Sequence, residues 1–284
     1  MQNMTIGWPN RIYEATLSGG SYVSTLPLAN LKSRDTTKVA RSTSASTTHT
    51  TFDIDFGSAR NIGAIGLLCH NISGAGRVQF LGNTSNTFTT PVYNSGLNLV
   101  YPTGVLPFGS VEWGDSNFWL GTISLQAAAG YKAPYIVGIP SRPSLRYWRV
   151  KIEDSGNSDG NVFFRLFIGD AWTVKYNMSY GASNSHNDLT EVKTSLGGQD
   201  YFKKRPRYRM NRFALNHLTD AEYQKVLDME RDAGISDELL IMPDLTDTGN
   251  GFRRNFLCRM MQLPSIREES FGKRSAEFEI KELL

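Results

Sequence analysis

The sequence predicts a mainly β protein: an N-terminal β-sandwich over residues 1–172, then a smaller α+β domain over 173–284 with one clear helix. Three observations carry this. The first 172 residues are dense in Ser, Thr, Asn and Gly, and their apolar runs are short and punctuated by turn residues, as in sandwiches and barrels. The composition then shifts: the first 172 residues hold 13 Lys/Arg and 10 Asp/Glu, whereas the shorter remainder holds 17 of each. A length of 284 residues suits one large or two ordinary domains.

In the first part, strands are expected at 51–56, where Phe52, Ile54 and Phe56 alternate, and at 62–69, 76–81, 147–152 and 162–168. Turn signals separate them at Gly57-Ser58, at Ser73-Gly74 and along the Asp/Asn/Ser/Gly run 154–161. A short helical turn is expected near Leu28 to Leu31. Between Asn83 and Ser144 prolines and glycines interleave with aromatics, a segment too apolar for a linker. It is expected to be an ordered excursion whose aromatics either pack on the sandwich or face another molecule. Trp113, Trp119, Tyr131 and Tyr135 are the candidates for that outward contact, with a glycan or with a partner protein.

The second part holds the clearest local signal. In Leu218-Thr219-Asp220-Ala221-Glu222, Thr219 is placed to cap a helix whose third residue, Glu222, reaches back to it, and Gly234 stands where that helix ends. The helix is expected over 219–233, with Tyr223, Val226, Leu227, the stem of Glu230 and Ala233 on its packed side. Strands are expected at 238–242, at 252–263 behind a Gly249-Asn250-Gly251 turn, and at 275–283, where Ala276, Phe278 and Ile280 alternate with charged residues. The basic stretch 203–212 places Arg205, Arg207 and Arg209 on one face of an extended chain. Together with Arg212 they are candidates for a salt-bridged edge or a subunit interface, with a solvated face or phosphate contact as the alternatives.

Catalytic patterns are scarce. No G-x-S-x-G elbow, phosphate loop or dinucleotide fingerprint occurs, and the four histidines sit in unrelated contexts. Cys69 and His70 are neighbours on an expected strand and so point to opposite faces, which does not suit one metal ion. The run 154–161 lacks the spacing of a calcium loop and its closing glutamate. Glu112 and Asp115 lie near two tryptophans, but three residues apart in a loop is no arrangement for acid and base. The expectation is a protein without catalytic residues, metal or cofactor. Net charge is +3, which gives no argument for nucleic acid. The apolar runs are too short to cross a bilayer, and the first residues do not read as a secretory signal, so synthesis in the cytosol is expected. Cys69 and Cys258 are expected to be two small buried apolar side chains.

Specific strings add a resemblance. The string from Phe52-Asp53-Ile54-Asp55-Phe56-Gly57 through Ile62-Gly63-Ala64-Ile65-Gly66-Leu67, and the later Arg146-Tyr147-Trp148-Arg149-Val150-Lys151-Ile152, resemble the opening and closing strands of discoidin-like (galactose-binding-like) jelly rolls. With Phe163 to Gly169, Trp172 and the Leu-Thr-Asp-Ala-Glu helix, the chain is similar to tail-tip or baseplate proteins of long-tailed bacteriophages, of the distal-tail type. Those proteins often carry the tube-like domain first, and this sequence reverses the order. The resemblance implies a structural virion protein made in the host cytoplasm. It would assemble with itself as a ring, hexameric or trimeric, and dock tube, hub and tape-measure proteins. The jelly roll implies, as the alternative, a carbohydrate-binding module for a host-surface glycan.

Overall fold

The computed structural model describes residues 3–35, 37–106, 112–114, 118–119, 121–122, 134–247, 251–270 and 272–283. The protein is mainly β and its strand pairs are antiparallel. The chain divides into two units, Met1–Thr173 with Leu240–Phe256, and Val174–Leu239 with Leu257–Leu284. The segment Leu240–Phe256, assigned by sequence to the C-terminal domain, therefore belongs with the first unit. The cause is strand pairing at long range: Leu240, Ile241 and Met242 lie opposite Gly7, Ile6 and Thr5.

In chain order the first unit contributes β1 (Thr5–Asn10), β2 (Thr16–Ser18), β3 (Ala40–Arg41), the helical turn α1 (Thr47–Thr50), β4 (Phe52–Asn61), β5 (Ala64–Leu68), β6 (Arg77–Asn83), β7 (Tyr93–Asn94), β8 (Asn98–Leu99), β9 (Tyr135–Gly138), β10 (Ser144–Glu153) and β11 (Phe163–Thr173). The expected turn near Leu28 is a 3-10 helix, Leu28–Lys32. One sheet runs β1-β11-β5-β9, with β3 also on β11; the other runs β2-β4-β10-β6-β7, with β8 on β6. Between them lies a core that includes Phe52 and Ile54 of β4, Phe80 of β6, Trp148, Val150 and Ile152 of β10, and Phe164, Leu166 and Ile168 of β11. Period-two alternation puts these side chains on one face of each strand, and burying each is worth roughly 1.5–3 kcal/mol. On the opposite face of β11, Arg165 is buried and donates to the carbonyls of Ser33 (2.8 Å) and Asp35 (2.7 Å), which fastens that loop to the sheet.

Gly57-Ser58 is a bulge and not the expected turn. β4 continues through it, and residues 56–59 face the single Arg146 of β10. Gly57 takes a φ of +72°, which glycine reaches without a Cβ clash, and its N–H donates to the Asp55 carboxylate at 2.7 Å. Arg146 clamps the same carboxylate from the facing strand at 2.7 and 2.9 Å, so pairing resumes at Arg60. The run 154–161 is a strand-connecting loop tied internally: the buried Asp154 carboxylate accepts from the Ser73 N–H (2.8 Å) and hydroxyl and from the Asn157 amide (2.9 Å).

The second unit contributes β12 (Ser183–Asp188), β13 (Glu191–Thr194), β14 (Asp200–Lys203), β15 (Arg207–Leu218), helix α2 (Asp220–Asp232), and β17 to β19. β16 (Leu239–Met242) and the turn α3 (Gly251–Arg254) intervene, and β17 is Phe256–Met260, β18 Ser265–Ser270 and β19 Lys273–Glu282. Its sheet runs β12-β15-β19-β17 with β18 also on β19, while β13 and β14 form a separate two-stranded ribbon. The capping box forms as the sequence dictates: the Thr219 hydroxyl accepts from the Glu222 N–H, and Glu222 accepts from the Thr219 N–H at 2.9 Å. The inward residues of α2 are Glu222, Val226 and Met229, with Ala233 at its end; Tyr223 and Leu227 are only half-buried, a correction to the expected stripe. The expected strand 252–263 is a helical turn followed by the shorter β17. Gly249 and Asn250 of the expected turn lie outside the described residues. Ala276, Phe278 and Ile280 of β19 are buried as expected. Cys258 is buried and Cys69 half-buried.

Candidate functional site

Within the first unit a cavity of about 690 Å³ opens beside β8 and β9. Tyr101, Tyr135 and Phe252 give it apolar walls, and Asn98, Asp247 and Asn255 give it polar ones. Tyr135 comes from β9, held against β5 by the pairing of Leu67 with Tyr135. Its ring stacks on Phe80 at 6.1 Å, and burial pushes its hydroxyl up to about 12 although a hydrogen bond with Asn98 opposes the shift. Tyr101 stands edge-on to His70 at 6.2 Å, and its hydroxyl is raised by burial and by Asp154. Asp247 is paired with Arg254 at 3.0 Å. Asn255 is the unusual member. Its N–H donates to the Gly251 carbonyl at 2.7 Å and the residue is only 7% exposed, yet its side-chain Oδ1 has no hydrogen-bond partner among the described residues. A buried amide oxygen left without a donor costs about 1–3 kcal/mol, so a donor from a ligand or water offsets a cost the fold already carries.

The expected glycan or partner contacts divide. Tyr135 lines the cavity and is largely packed against the core rather than turned outward. Trp113 and Trp119 are 84% and 83% exposed and are absent from the described lining of the cavity; Trp119 meets Phe118 edge-on, at 5.2 Å. Tyr131 lies outside the described residues. Tyr93 and Tyr101 of the same excursion pack on the sandwich.

The arginines do not form the expected row. Arg205 precedes β15 and is bonded to Glu191; Arg207 reaches Asp188 of β12 at 2.9 Å; Arg209 is bonded to Glu282; Arg212 reaches Glu279 at 3.3 Å. Arg207 and Arg209 share strand parity but not burial. β19 ends at Glu282, opposite Arg209, so Arg209 is enclosed between β12 and β19, while Arg207 lies past that end, beside Asp188 of β12. Thr190 hydrogen bonds and then Arg207 hold Asp188 down at about 2. With a carboxylate of this chain beside each guanidinium, the four arginines form an internally salt-bridged edge.

The residues that sequence reading passed over lie in the ribbon. All eight residues of β13 and β14 are exposed, among them Val192 (54%), Tyr201 (62%) and Phe202 (63%), and Leu196 in the connecting turn is fully bare. The turn is closed by the Ser195 N–H donating to the Gln199 carbonyl at 2.8 Å, and Gly198 takes a φ of +81°. Among the described residues, no group of His, Cys, Asp and Glu side chains is arranged to hold a metal ion, and no helix is long and apolar enough to cross a membrane.

No protein-family model and no curated protein matches the chain. Solved structures do align with it. The CBM32-1 module of a family 31 glycoside hydrolase from Clostridium perfringens is 14% identical with a TM-score of 0.37, covering 57% of this chain and 99% of that one. The lectin binding domain of lectinolysin, solved as a His 62 mutant with Lewis b, is 12% identical with a TM-score of 0.37, over 58% and 97%. A tail of an empty GTA particle is 17% identical with a TM-score of 0.29, over 41% and 84%.

Proposed function

We propose that this chain is a structural assembly protein of a bacteriophage tail tip or baseplate, incorporated into the virion as a ring and docking its neighbours there. The observation that carries the reading is the bare ribbon β13–β14. A two-stranded ribbon is marginal on its own, and a contiguous exposed apolar patch marks a surface that another molecule covers. Val192 and Phe202, opposite each other on one face, supply such a patch, with Tyr201 exposed on the other face, on residues that make no core of their own. The resemblance of its strings to distal-tail proteins supplies the setting, and a building block in that setting performs no reaction. Its partners would be further copies of itself and the tube, hub and tape-measure proteins. Light scattering on the purified chain, alone and mixed with the other tail proteins, tests this: a closed multimer or co-assembly is expected, and a monomer in every mixture overturns it.

The cavity favours a second reading, attachment to a host-surface glycan. Aromatic walls with amide and carboxylate edges suit a hydroxyl-rich ring, and the Asn255 Oδ1 is an acceptor waiting for a hydroxyl donor. On a glycan panel, Asn255→Leu is expected to lose binding while folding as stably as the parent, since it removes an unsatisfied group. Binding unchanged in that variant, or no binding by the parent, removes the reading.

A further inference from the structure

The ribbon's second strand is complementary to itself. Residues 200–204 read Asp200-Tyr201-Phe202-Lys203-Lys204, and β14 pairs only with β13 among the described strands, which leaves its outer edge open. In an antiparallel pair of identical strands about a two-fold axis perpendicular to the sheet, the numbers of opposed residues sum to a constant, and opposed residues share a face, so that constant is even. Centred on Phe202, the pairing sets Phe202 against Phe202 of the second copy. Asp200 then faces Lys204 of the second copy at both ends, and Tyr201 faces Lys203 of the second copy on the other surface. Opposite charges and aromatic pairs are the stabilising cross-strand combinations, and an ammonium over a tyrosine ring adds a cation–π contact. Neither Lys203 nor Lys204 has an in-chain carboxylate within salt-bridge distance among the described residues.

We propose that β14 is a two-fold seam through which a second copy of this chain joins the ribbon, giving a four-stranded sheet β13-β14-β14-β13. Within one chain Val192 lies opposite Phe202, so the seam aligns Val192, Phe202, Phe202 and Val192 in one apolar row across four strands. Three or more strands with an apolar row reach the stability that two lack. The other edge is a weaker candidate: β13 can pair about Val192, but its Glu191 is already taken by Arg205. The inference rests on the assembly reading, in that the ribbon is where chains meet, and it relates the two chains of each pair by a two-fold axis.

Two measurements on the full chain test it. Residues on the axis come within about 5.5 Å between Cα atoms, inside the range for a disulfide, whereas residue 200 and its copy are offset by four positions, roughly 13 Å. Phe202→Cys is therefore expected to give a covalent dimer under mild oxidation and Asp200→Cys none. In sedimentation, Lys204→Glu is expected to weaken self-association about tenfold by opposing two acids at each end, and the swap Asp200→Lys with Lys204→Glu to restore it. A multimer that is indifferent to the single variant and gives no Phe202→Cys dimer overturns the seam and leaves the assembly reading standing. Cross-linking through Val192→Cys instead moves the contact to β13 and also overturns it. A chain that stays monomeric with and without other tail proteins removes both.

Discussion

The sandwich of the first unit and the ribbon of the second use the same device to different ends. In β4 and β10, alternation puts Phe52, Ile54, Trp148 and Val150 on one face, and β11 and its neighbours cover that face, so each of these side chains is at most 1% exposed. In β13 and β14, alternation and register bring Val192 beside Phe202 just as neatly, but no described strand or helix covers either face. Alternation decides which side chains stand together; only a second layer decides whether they are core. Where the layer is missing, apolar area of this size is unfavourable in water until another molecule supplies it.

The comparison breaks most sharply under truncation. Trp148 is 1% exposed and its ring packs against Tyr93 at 5.4 Å, so Trp148→Ala is expected to cost about 3–5 kcal/mol in urea denaturation of the first unit. Phe202→Ala is expected to leave monomer stability within about 0.5 kcal/mol while impairing self-association. If Phe202→Ala destabilises the monomer as much as Trp148→Ala does, the ribbon is packed within its own chain and the contrast is lost.

A second contrast lies within the second unit. Arg209 and Glu282 are 6% and 8% exposed, while the Arg212–Glu279 pair is open on its arginine side. Glu282→Gln leaves a buried guanidinium without its counter-charge and is expected to cost about 3 kcal/mol or more. Arg212→Gln is expected to cost under about 1 kcal/mol, as exposed pairs do. Equal losses in thermal unfolding would show that burial does not set the worth of these pairs.

What the sequence disclosed follows the same division between local and distant causes. The capping box at Thr219 and Glu222 is written within four residues, and the structure forms it. The strands from Phe52 to Ile168 were legible because alternation is local, with boundaries off by a few residues at each end. Gly57-Ser58 looked like a turn because the residues that hold it as a bulge, Asp55 and Arg146, are 91 residues apart. The partners of the arginines were hidden for that reason too: their carboxylates come from β12 (Asp188), β13 (Glu191) and β19 (Glu279 and Glu282). The cavity joins Tyr135 to Asn255, and nothing near Asn255 signals that Leu240 to Met242 will pair with β1 and carry the following turn into the first unit. The bare ribbon escaped notice because Val192, Tyr201 and Phe202 carry no motif, and exposure is a property of what is missing around them.

The smallest effect concerns Glu222, where local capping and burial compete. Burial of its carboxyl works to raise its pKa, but the N–H groups of Thr219 (2.9 Å) and Lys175 (2.7 Å) and the Thr219 hydroxyl (2.8 Å) favour the charged form more, so it lies below its ordinary 4.5. A carboxylate whose pKa is lower in the folded state adds stability that is fully present above the unfolded value and is lost as pH falls through the folded one. The native chain is therefore expected to outlast Glu222→Gln in urea at neutral pH, by a margin that begins to shrink near pH 4.5 and closes further down. Glutamine keeps only one of the two acceptor oxygens, which Lys175 and Thr219 use separately, so the variant removes the charge and one acceptor, and it is the change of the margin with pH that reports the charge. A margin that stays constant between about pH 7 and pH 3 would mean that the folded second unit holds this group no more charged than the unfolded chain does, and that the capping box works as a neutral hydrogen-bond exchange.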